Sequence, residues 1–543
     1  MSRLRLAMDS VGGPALRGSG RGWRGVFPRL AMALAALFLA LLPAGMAQAR
    51  PNTAELEQQL RAEIATLASD DFAGREPGTE GEAKTLRWLA HEWFNIGLVS
   101  GTNDPGHPWF APVELVAREP AGSSALFTRR GRAVPVNQAD VLVLTSGRRA
   151  LIERAPLLFL GHGEVVPART ELAGRVALLL DSRKAGTPAP GGAGSVAAGG
   201  LGARQNALLA AGALGVITVL DGERTLAGVI ERRRRQGYAL ASEETGGDLE
   251  AFISAAAMDR LLAGSATSLA ALQHEADGAD FVPRPVDLAA SLEATTRQTT
   301  IRSHNLIGLL PGRHRQAGAV LVMAHWDHFG TCASPPAEHL ICNGAVDNAS
   351  GVAALTEIAR RLAHPPAGTP PLDRDIYFLA TTAEEMGLLG AEAFAENPPL
   401  PLSQVVAALN LDCVAIAPAG GPLGMVGKGQ VSAALEAAIA TVAHEQRRSL
   451  SASLAPNTYI RRQDGWALMA HDVPAVMVTS AYGDIARLEH YFDTDYHRPQ
   501  DVMKPGLELG GAAQDVLFHV ALVHHLADMR RFDAGAPANV SAR

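Results

Sequence analysis

Between residues 303 and 531 the chain repeats one alternation. A short, wholly apolar run is followed by a polar turn, and then by a stretch in which apolar residues recur every three to four positions. "AVLVMAH" (319–325), "DIYFLATT" (375–382), "VVAALNLD" (405–412) and "PAVMVTS" (474–480) are the apolar runs. Such runs suit strands buried on both faces. Helical periodicity marks "SGVAALTEIARRLA" (350–363), with Ser350 expected as its cap, and then "LLGAEAFAEN" (388–397), "VSAALEAAIATVAHEQRR" (431–448) and the closing "GAAQDVLFHVALVHHLADMRR" (511–531). Strands alternating with helices predict an α/β fold, a doubly wound mixed sheet with helices on both faces.

Upstream the pattern differs. Residues 53–98 read as two helices joined by a loop, Gly74 to Gly81. From about residue 118 the runs become short and β-rich: "ADVLVL", "APLLFLGHG" and "GRVALLL". A Gly/Pro/Ala-rich loop (185–202), a helical "ARQNALLAAGA" and "LGVITVL" follow. These segments predict a second core. The expected organisation is a leader at 1–49, an N-terminal helical part at 50–117, an insertion at 118–296, the main α/β domain at 297–531 and a flexible tail at 532–543.

At 543 residues with 47% hydrophobic and 19% charged, the chain is neither disordered nor fibrous. Basic residues up to Arg29 precede an apolar run, Leu30 to Leu42, and then Ala47-Gln48-Ala49, a small-x-small pattern. This predicts a cleaved signal for export to the periplasm or the medium, since the apolar run is short for a membrane span. Removing it takes away six basic residues and one acidic residue, leaving 42 basic against 54 acidic, a balance of −12. That gives no electrostatic ground for a nucleic-acid or anionic-membrane partner. Three cysteines are too few for a disulfide scaffold, although Cys332 and Cys342 can either close one short loop or stay free.

The chemistry gathers at strand ends. "AVLVMAH" delivers His325, followed by Trp326 and Asp327; "FLATTAEE" delivers Glu384 and Glu385; "VVAALNLD" delivers Asp412; and Asp347 precedes the helix after the first strand. Open α/β sheets place their sites at this edge. An Asp two residues after a His can hold the second ring nitrogen of a metal-bound imidazole. Mixed His and carboxylate donors suit zinc, with cobalt or manganese as alternatives. Taken singly, each residue reads more readily as a surface carboxylate or a hydrogen-bonded histidine than as a ligand. Cys413 after Asp412 is expected to point to the opposite face as core packing, and Gly427-x-Gly429-x-x-Ser432 reads as a turn.

The segments "HWDHFG", "NGAVDNASGVAALTEIAR", "TTAEEMGLLGA", "LNLDCV" and "YFDTDYHRPQD", in that order, resemble the co-catalytic dizinc aminopeptidases, the M28 metallopeptidases. "DDFAGREPGTEGEAKTLRWLAHEWFNIGL" resembles that family's helical entry, and the β-rich insertion looks like a protease-associated (PA) domain. The resemblance implies two zinc ions, one held by His325 and Asp412, the other by Glu385 and His497, with Asp347 bridging. It implies Glu384 as general base, Asp327 behind His325, and peptide substrates cut at their N-termini. His328 is the weaker ligand candidate. Asp464 in "RRQDGWALMAHDVPAV" stands where relatives often read Ser-Asp-His, which bears on the substrate pocket. Two alternatives stay open. One is a carboxypeptidase-type relative using Arg461 or Arg462 for a terminal carboxylate; the other is a non-catalytic receptor, whose usual mark is lost ligands, and none is lost here.

Overall fold

The computed structural model describes residues 53–181, 200–222, 224–235, 237–243, 248–278 and 280–533. The expected leader lies outside them, as do most of the Gly/Pro/Ala-rich loop and residues 534–543 of the expected tail. No described helix is long and apolar enough to cross a membrane.

A single mixed sheet of fifteen strands organises the described residues. At its centre Ala319–His325 runs parallel to Asp375–Thr381 on one side and Val405–Asn410 on the other, and Ala475–Thr479 lies parallel beyond Val405–Asn410. Gly424–Val426 and Arg284–Leu310 flank this set antiparallel. Every residue of Ala319–His325 is buried. The period of two still operates inside that burial: Val320, Val322 and Ala324 enter one core, while Leu321 and Met323 enter another. Helices Thr53–Leu67, Glu80–Ile96, Ser350–Ala363, Ala433–Glu445 and Gly510–Ala527 cover the first face, and Leu389–Glu396 and Gly465–Ala470 cover the second. Trp93 meets Phe378 edge-on at 6.3 Å within the larger core.

Two helix starts differ from expectation. Ser350 does not cap; a π-helical turn, Ala345–Ala349, precedes it, so Ser350 is already helical and its hydroxyl donates to the Val346 carbonyl (2.7 Å). The helix after the glutamate pair begins at Leu389, one residue past the start of the expected stretch at Leu388. The amides of Gly387 and Leu388 both donate to the Glu384 carbonyl (2.9 Å), and Gly387 at φ 115° makes this turn. Glu384 and Glu385 thus sit in a tight turn at the strand's end. Ser432, by contrast, does cap its helix, accepting from the Leu435 amide.

Two long strands, Phe110–Arg129 and Arg284–Leu310, pair with each other and run out of the central set, so residues 118 and 296 lie inside continuous strands. Beyond them Arg149–Phe159, Val176–Leu180, Gly215–Leu220 and Leu249–Ser254 are parallel, with separate cores on their two faces. Near the central strand's end, Cys332 and Cys342 form a disulfide that closes a hairpin of Gly330–Thr331 and Ile341–Cys342.

Candidate metal centre

Each candidate side chain leaves a parallel strand's C-terminal end or the loop beside it. His325 is the last residue of its strand; Glu384 and Glu385 follow Thr381; Asp412 lies two residues past Asn410. Asp347 lies in the π-helical turn, and His497, at φ 56°, follows helix Ile485–Thr494. The folded chain brings all of them together. His325 Nε2 lies 3.2 Å from Asp347 Oδ1 and 3.5 Å from Asp412 Oδ1. His497 Nε2 lies 3.2 Å from Asp347 Oδ2 and 2.9 Å from Glu385 Oε2. The Asp347 carboxylate therefore stands between two imidazoles, one oxygen toward each. Donor atoms of His325, Glu384 and Asp412 fall within 4.8 Å of one another.

Asp327 is fully buried, and its Oδ1 accepts the Glu384 amide (3.1 Å). His325 Nδ1 is nearer the Asp327 carbonyl (3.2 Å) than its carboxylate (3.7 Å), so the backbone holds the ring at least as closely as the side chain does. His328, the weaker candidate, is buried with Nδ1 2.5 Å from Glu385 Oε1. It steadies the oxygen of Glu385 that faces away from His497.

One contributor, Asp501, was not legible as functional. Asp501 accepts the amides of Val346 (2.9 Å) and Asp347 (3.1 Å) and the Tyr491 hydroxyl, and so fixes the turn that carries Asp347. Its place in "YFDTDYHRPQD" was the only signal. Asp464 is buried against Thr381, whose hydroxyl donates to it. Cys413 departs from expectation. The strand ends at Asn410, Cys413 has φ 52°, and its sulfur lies within 4.8 Å of carboxylate oxygens of Asp347 and Asp412. It packs in a core and also faces the site. Alternation stops applying where the strand stops.

The electrostatics are lopsided. Asp327, Asp347, Glu384, Glu385, Asp412, Asp464 and Asp501 crowd one buried region. Burial first, and then the carboxylates Glu385, Asp464 and Asp412, push Glu384 well above the usual range against the opposing pull of His325. Burial raises Asp464 to about 7. Burial works against a charged His497, yet Glu385 and Asp347 outweigh it and lift its pKa to about 10. His325 Nε2, His497 Nε2 and Asp412 Oδ1 are buried with no hydrogen-bond partner among the described residues. Buried nitrogen and carboxylate donors left unpartnered amid excess negative charge fit divalent cations, and mixed N/O donors fit zinc.

Residues 305–519 match the profile of Peptidase family M28. Aminopeptidase YwaD of Bacillus subtilis (strain 168) is 30% identical over 137 residues, 25% of this chain and 26% of that protein, so the match spans about a quarter of the relative's length. Among solved structures, the aminopeptidase from Aneurinibacillus sp. strain AM-1 superposes with a TM-score of 0.52 at 17% identity, covering 87% of this chain and 93% of that one. The likeness extends to the fold.

Proposed function

We propose, from the match of residues 305–519 to the profile of peptidase family M28, that this chain is an exported zinc-dependent aminopeptidase removing N-terminal residues from peptides. His325 and Asp412 would hold one ion, Glu385 and His497 a second, and Asp347 both. The observation that carries this reading is the Asp347 carboxylate, with one oxygen 3.2 Å from each of two imidazole nitrogens that make no hydrogen bond among the described residues. Bound zinc supplies Lewis acidity, acidifying water and polarising a scissile carbonyl. Glu384 is the general base. It would take a proton from the attacking water and pass it to the leaving amine. Asp327 fixes Glu384 through its amide, and His328 and Asp501 hold Glu385 and Asp347 in place. The insertion is read as a PA-like unit tied to the peptidase sheet by its two long strands.

The test uses the mature chain, from about Arg50, with aminoacyl chromogenic substrates and free-carboxylate dipeptides, each with and without chelator. Chelator-sensitive release from aminoacyl substrates and about two metals per chain are expected. Cleavage confined to the free-carboxylate peptides would assign the carboxypeptidase reading instead. A reproducible single metal would remove the dinuclear mechanism.

A further inference from the structure

Arg75 is 1% exposed, and among the described residues no carboxylate pairs with it. Its guanidinium spends its donors on backbone carbonyls. Nε reaches Trp326 O (2.9 Å), Nη1 reaches Leu67 O (2.9 Å) and Asn343 O (2.5 Å), and Nη2 reaches Gly344 O (3.0 Å). Its own carbonyl accepts the His328 amide (3.4 Å). These contacts join three segments: the end of helix Thr53–Leu67, the loop running from His325 to His328, and the residues leading into Asp347. The backbone bends to seat it. Ala73, Gly74 and Arg75 all have positive φ (47°, 69° and 56°). A Cβ on Gly74 would lie 2.5 Å from Cys342 O and 2.7 Å from Gly330 Cα, so the loop is pressed into the disulfide hairpin.

A structural cation buried for stability alone would be expected to pair with a carboxylate, and Asp347, Asp327, Glu385 and Asp501 are all near enough to act on its charge. The arginine instead binds the peptide groups beside the ligands. We infer that Arg75 is a positioning residue for the metal centre, setting the spacing of the His325 and Asp347 loops through the carbonyls of Trp326, Asn343 and Gly344. This rests on the metal reading above. Two consequences oppose each other. As a positive charge beneath the site it repels a divalent ion, so loss of charge alone would tighten metal binding; as a spacer it aligns ligands, so loss of reach would weaken binding. Lysine keeps the charge but, as a compact ammonium, cannot span carbonyls set in a planar fork.

The experiment measures Co2+ affinity, by competition with a chelator, and the visible absorption of the Co2+-loaded full chain. The proteins are the wild type, Arg75→Lys, Arg75→Met and, as a control, Arg61→Met, which removes an arginine bond to the distant Leu507 carbonyl. Both Arg75 variants are expected to bind Co2+ about 10–100-fold more weakly, with an altered spectrum, while the control matches the wild type. Wild-type affinity and spectrum with only a lower unfolding temperature would reduce Arg75 to scaffold and overturn the inference. Tighter binding by Arg75→Met would overturn it in favour of charge. If a variant does not fold without metal, excess Co2+ during refolding should recover it, and failure to recover would also overturn the inference. A wild-type chain that binds no Co2+ would defeat the metal reading itself.

Discussion

The half of the sheet that carries the candidate ligands, the peptidase half, and the half expected from sequence as an insertion share one construction, parallel strands whose C-terminal ends carry polar side chains, yet they balance charge differently. In the insertion, Asp181 meets Arg224 at 2.6 Å, Asp221 accepts from Gln273 at 2.9 Å, and His162 stands 3.3 Å from Asp277. Each acid there has a counterpart from the chain itself. In the peptidase half, seven carboxylates, five of them buried, face three histidines and Arg75, and among the described residues key nitrogens and oxygens are left without hydrogen-bond partners. The geometry of a strand end is common to both. What separates a site from a scaffold is charge that the chain leaves uncompensated, because a buried carboxylate excess is tolerable only when a cation arrives.

The sharpest way to break this comparison is at the adjacent glutamates. Glu384→Gln matches the shape but cannot take a proton; turnover is expected to fall roughly 10²–10⁴-fold with metal content and unfolding temperature unchanged. Glu385→Ala should instead lose metal, with activity partly restored by excess zinc or cobalt. Metal analysis and kinetics on metal-loaded protein decide between them, and the reverse pattern would exchange the two roles.

A smaller effect separates scaffold from site within the peptidase half. Glu63 lies 3.3 Å from Arg360, but burial first, and then Glu357, raise its pKa to about 8. The native state then keeps a proton that the unfolded chain has lost. This contribution to stability is complete below about pH 4.5 and disappears as pH rises through about 8. Glu63→Gln keeps the uncharged form throughout, so its advantage in unfolding temperature should grow by about 2–4 °C between pH 6 and pH 9. Parallel curves for variant and wild type would show that Glu63 does not hold its proton.

The smallest expected change is in the insertion. Arg224→Ala should cost about 1 kcal/mol by denaturant unfolding and leave metal content untouched, since the arginine is partly exposed and water can screen what it leaves. A loss of bound metal would mean that the two halves are not electrostatically independent.

The strand ends were legible from local pattern. Apolar runs ending in His325, Glu384–Glu385 and Asp412, with Asp347 before the helix after the first run, require only that each run be a strand and that the strands be parallel, and family order supplied His497. What local pattern cannot carry is contact between residues far apart in sequence. The bond from Arg75 to Gly344 spans 269 positions, and that from Asp347 to Asp501 spans 154. Asp347 faces both imidazoles because Asp501 holds its turn; Cys413 faces the carboxylates because its strand has already ended; His328 reaches Glu385 across two loops. By itself the sequence determined which residues could be donors and on which edge they would stand, because side-chain alternation and strand polarity are properties of short segments. Only the tertiary structure decided how far apart the donors sit and which are left without partners, because those distances are set by loops whose conformations depend on packing against distant parts of the chain.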